Sequence, residues 1–88
     1  MNKEQVKEQI EDIITYVEEA GLDFWADDIV SMRKAVNAFE SNKVIDKETV
    51  SSLLLIRDHI RHVWFTNDEE DPCNKDIEAL SILIDYAA

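Results

Sequence analysis

Residues 46–65 read DKETVSSLLLIRDHIRHVWF, and two structures compete for them. The β-branched residues Val50, Ile56, Ile60 and Val63 favour a strand. The length of the segment and the charges interleaved in it favour a helix. Val50, Leu53, Leu54, Arg57, Ile60, Val63 and Trp64 recur at helical intervals, to about Phe65. Asp46 stands where an N-cap belongs. Ile45 before it and Val50 in the first turn form a hydrophobic staple. Leu53-Leu54-Leu55-Ile56 is apolar on every side for one turn, which marks a helix central in a bundle or half of an interface.

The flanking sequence has the same period. Upstream, Val6, Ile10, Ile13, Ile14 and Val17 predict a helix from about Lys3 to Ala20. Asn2 is its N-cap and Gln5 completes a capping box. Gly21 supplies the left-handed residue at its end, with Leu22 folding back. Trp25, Ile29, Met32, Val36 and Phe39 predict a second helix from about Phe24 to Glu40, capped by Asp23. Asp27 and Asp28 suit the positive end of its dipole. Ser41-Asn42-Lys43 breaks the pattern. After the acidic connection Thr66 to Asp71, Asp71-Pro72 opens a last helix with Asn74 as a rival cap. Ile77, Leu80, Leu83, Ile84 and Ala87 give its stripe. The expectation is an all-α bundle of about four helices, one domain over residues 1–88.

Composition narrows the function. The 88 residues hold 9 Lys+Arg against 20 Asp+Glu, a formal charge of −11, with 45% apolar residues. That apolar fraction is too high for a disordered acidic tail. One Gly and one Pro exclude collagen-like and low-complexity chains. The longest apolar run is far short of a membrane span, and the N-terminus lacks the features of a secretory signal. Cys73 alone builds no disulfide framework. These features point to the cytoplasm. The charge opposes direct binding to nucleic acid or anionic lipid and favours a basic partner.

Motifs for chemistry are weak. Asn67, Glu69, Asp71 and Glu78 fall at positions one, three, five and twelve of a calcium loop. Position six, which needs a positive φ, is Pro72, and proline cannot supply one. His59 and His62 are three apart beside Asp58, but zinc needs two more ligands and Cys73 is the only thiol. Acidic neighbours raise the pKa of a thiol, and Gly21, the only glycine, makes no phosphate loop. The chain therefore reads as a non-enzyme with no cofactor and no metal.

Residues 1–40 hold 4 basic and 10 acidic side chains and residues 41–88 hold 5 and 10, so the negative charge is no detachable tail. Two clusters stand out: Glu18-Glu19 with Asp23, Asp27 and Asp28, and Asp68-Glu69-Glu70-Asp71. These carboxylates are the expected face for a basic protein partner, with Phe24 as an apolar anchor and Tyr16 or Phe65 as other aromatics that would stand exposed. The small size, the acidic balance, the helical build and the segment Leu22-Asp23-Phe24-Trp25-Ala26-Asp27-Asp28 resemble small bacterial immunity proteins. That resemblance implies binding and silencing of a cognate toxin, often a basic nuclease. The same features are similar to phage-encoded DNA mimics of the anti-restriction and anti-CRISPR kind. A third reading is a structural homo-oligomer joined through the turn Leu53 to Ile56.

Overall fold

The computed structural model of the chain describes residues 1–19, 26–63 and 72–87. Four helices account for most of them: α1 (Lys3–Glu19), α2 (Ala26–Glu40), α3 (Lys47–Val63) and α4 (Pro72–Ala87). There is no strand among the described residues. Each helix packs on the next, and α1 closes the ring on α4, leaving α1 and α3 on one diagonal. The expected all-α bundle of four helices is what forms. Phe24, Trp25, Gly21, Leu22, Trp64 and Phe65, assigned above to helix ends and caps, lie outside the described residues.

The ends of the helices have chemical causes. Asn2 Oδ1 accepts from the Gln5 N–H at 2.9 Å, and Gln5 Oε1 accepts from the Asn2 N–H at 2.9 Å, the reciprocal box expected from their spacing. α2 ends in a Schellman motif. Asn42 adopts φ 56°, the Lys43 N–H reaches the Ala38 carbonyl at 2.8 Å, and the Asn42 N–H reaches Phe39 at 3.4 Å. Asparagine here takes the place usually held by glycine.

At the start of α3, Asp46 Oδ1 accepts from the Thr49 N–H at 2.7 Å. That bond, with a second from the Thr49 side chain, holds the Asp46 carboxyl below the usual range. A depressed folded pKa adds stability above the unfolded value, and that stability disappears as pH falls through the folded one. Asp46→Ala should therefore lower the melting temperature by several degrees near neutrality. Asp46→Asn keeps a cap and should lose only the pH dependence. Thermal melts by circular dichroism between pH 3 and 7 check both. Superimposable melting curves for wild type and Asp46→Ala would mean that the cap contributes nothing.

One core joins all four helices. Val6, Ile10, Ile13, Ile14 and Val17 of α1 are all buried, as their spacing requires. Met32, Ala35, Val36 and Phe39 face them from α2, with Ile29 partly buried beside them. Ala79, Leu80 and Leu83 enter from α4. α3 departs from the expected stripe. Leu53, Ile56 and Ile60 are buried with Thr49, whereas Leu54 is 37% and Leu55 70% exposed. The inward face follows residues 49, 53, 56 and 60, so the apolar turn is half core and half surface. Arg57 sits at the α3–α4 seam. Its Nη1 donates to Ser81 Oγ at 3.2 Å, while its buried Nε has no partner among the described residues.

Candidate binding surface

The outer face of α1 is where carboxylates collect. Opposite its buried stripe, Glu4, Glu8, Glu11, Asp12 and Glu19 are all exposed. Glu4, Glu8 and Asp12 are spaced by four, and Glu19 follows seven residues on, so the helical period stacks them on one side. Among the described residues three ion pairs form: the Met1 ammonium with Glu78 at 4.0 Å, Lys7 with Glu40 at 3.4 Å, and Arg33 with Glu18 at 3.0 Å. None includes the five carboxylates of this face. The two lysines of α1 lie elsewhere: Lys7 is drawn to α2, and Lys3 bonds Asn42 and lies over the Phe39 ring.

Two features of this face work against stability. Glu18 and Glu19 occupy the last turn of α1, which holds no basic residue of its own; Arg33 of α2 pairs with Glu18, and Glu19 is left against the negative end of the dipole. Like charges four apart on Glu4, Glu8 and Asp12 repel. Tyr16, 55% exposed on the same helix, supplies an aromatic ring at the border of the acidic face.

The residues singled out from sequence are only partly within view. Asp23, Phe24, Asp68, Glu69, Glu70 and Asp71 lie outside the described residues. Asp27 and Asp28 are in the first turn of α2. Asp27 is exposed, and Asp28 is partly buried against α3. Burial raises the Asp28 pKa first, the Asp27 charge raises it further, and His59 on α3 opposes both. Ionising Asp28 above that raised value works against the fold. Its carboxylate thus faces the α2–α3 seam and Asp27 faces solvent. Among the described residues no three His, Cys, Asp or Glu side chains are grouped to hold a metal, and Pro72 opens α4 at the point where a calcium loop would need its turn.

In three dimensions the charge is polarised. Residues 1–7, 37–54 and 82–87 gather at one end of the bundle, tied by contacts among Lys3, Phe39, Asn42, Lys43 and Tyr86. Their side chains hold four lysines and five carboxylates, a net of −1. The remaining described residues hold five basic and ten acidic side chains, a net of −5. No helix of the described residues is long and apolar enough to cross a membrane. No family model, curated protein or solved structure matches the chain.

Proposed function

We propose that this chain is a non-enzymatic, cytoplasmic binding protein that inhibits a basic protein by docking the outer face of α1 on it, as an immunity protein does a toxin. The observation that supports this reading most is the row Glu4, Glu8, Glu11, Asp12 and Glu19, exposed and without ion pairs among the described residues. A carboxylate row on a rigid helix loses little freedom on binding, and steering by opposite charge speeds encounter. Its partner is a protein with a cationic groove, such as a nuclease; nucleic acid and anionic membrane are repelled. The reading needs no cofactor.

The DNA-mimic alternative is less well supported. Glu4 to Glu19 span about 22 Å of helix axis at 1.5 Å per residue. A duplex of that length carries roughly 13 phosphate charges. Five carboxylates fall well short of that density, so α1 by itself reproduces the sign of a duplex and not its spacing.

Capture of partners from the native host on immobilised protein tests the proposal. The expected result is a basic protein retained at low salt, released as salt rises, and inactive in the complex. Recovery of only neutral proteins whose retention ignores salt would remove the electrostatic mechanism.

A further inference from the structure

We propose that Val44 and the hollows beside it form a self-complementary surface through which two copies of this chain associate weakly. Val44 is 90% exposed, yet the backbone that carries it is fastened on both sides. The Schellman motif fixes Asn42 and Lys43, and the Tyr86 hydroxyl donates to the Lys43 carbonyl at 2.7 Å. Immediately after it, Ile45 is buried and Asp46 caps α3. The valine is therefore an apolar knob held outward by an anchored loop, and little ordering remains to oppose binding.

Two open hollows lie on the same surface. One hollow, about 380 Å³, is lined by Ile45, Val50, Ile84 and Ala87 with Lys47 and Ser51. A second, about 300 Å³, lies between Asn42, Val44 and Tyr86. A knob and a hole on one patch are what a two-fold contact requires, because each copy then offers both. Leu54, one turn beyond Val50, extends the apolar surface along α3.

Charge selects the occupant. Lys43, Lys47, Glu48 and Asp85 are exposed at this end, and none is in an ion pair among the described residues. Both signs are present, so this end offers no matching field to a strongly charged partner of either sign. This end is also the near-neutral one, where copies of a −11 chain meet with least repulsion. A lasting dimer buries about 800 Å² per partner, a large share of a surface of 5665 Å² over the whole chain. Val44, Leu54 and the linings of two hollows are few residues against the roughly 20–30 a side of such an interface, so the association is weak.

Sedimentation equilibrium of the full chain over a wide concentration range, at low and high salt, tests the proposal. A monomer–dimer equilibrium is expected. It should tighten with salt as residual repulsion between the bodies is screened, the opposite of the salt response proposed for the basic partner. Val44→Asp should weaken the dimer by about tenfold or more and Val44→Thr less, with helicity and melting unchanged for both. Leu55→Asp, on the other flank of α3 from Val50, should leave it intact. A monomer at every concentration, a dimer indifferent to Val44→Asp, or one that loosens with salt would overturn the proposal. Binding of an added acidic helical peptide by a chain that stays monomeric would overturn it too and assign the patch to a different occupant.

Discussion

Leu53→Ala is expected to remove about 3 kcal/mol of stability, with Leu55→Ala, two residues along, changing it by less than about 0.5 kcal/mol. Leu53 is fully buried and Leu55 is 70% exposed. Removing the Leu53 side chain loses its transfer energy and leaves a cavity among the side chains of four helices, which relax only in part. An 88-residue domain has a total of roughly 4–13 kcal/mol to lose, at about 0.05–0.15 kcal/mol per residue. Leu53→Ala therefore leaves a marginal protein, and Leu55→Ala an ordinary one. Urea unfolding followed by circular dichroism separates them by midpoint. The same series orders Ile56 and Leu54: truncating Ile56, 1% exposed, should cost more than truncating Leu54. Equal midpoints for Leu53→Ala and Leu55→Ala would mean that α3 does not present the face described.

That series bears on what a one-dimensional pattern can reveal. α1 was legible from Lys3 to Glu19, because the polar residues flanking its five buried ones fix the phase of the stripe. α3 was legible as a helix but not in its rotation. Four consecutive apolar residues carry no phase, and the expected face therefore took in Leu54 and Arg57 in place of Ile56. The phase is set by Thr49 and Ile60 at the two ends of the buried row. Thr49 passes unnoticed in a hydrophobic pattern, yet it is buried because its backbone N–H and its side chain both bond the Asp46 cap.

The candidate surface was legible in a different degree. The recurrence Glu4, Glu8, Asp12 and Glu19 lies in the sequence at helical spacing, off the buried stripe, but the sequence does not say which of these acids find an ion-pair partner on another helix. Polarity between the ends of the bundle could not be read from halves of the chain, because each end draws residues from all four helices. Balances of −6 and −5 for residues 1–40 and 41–88 conceal a near-neutral end of −1. Asp28 shows the reverse error. A carboxylate in a first helical turn reads as exposed, and its flank of α2 turns out to face α3.

Reversing three charges on α1, as Glu8→Lys, Asp12→Lys and Glu19→Lys together, is expected to slow association with the captured basic partner by about a hundredfold at low salt. The chain would go from −11 to −5, with all six units of change on one face. Screening should shrink the difference at high ionic strength, because exposed charges beyond a Debye length cease to act. The same variant should be as helical as wild type and melt no lower. Each replaced residue is exposed and outside every ion pair among the described residues, and Lys at position 19 suits the end of the α1 dipole where Glu opposes it. Stopped-flow binding across a salt series, alongside thermal melts, measures both halves. A protein that gains or holds stability while losing its partner has been carrying repulsion for the sake of binding. If association is unchanged at low salt, the row on α1 is only a solvated face, and the partner docks elsewhere. If binding is lost together with the fold, the carboxylates were structural after all, contrary to their exposure and their absence from the ion pairs among the described residues.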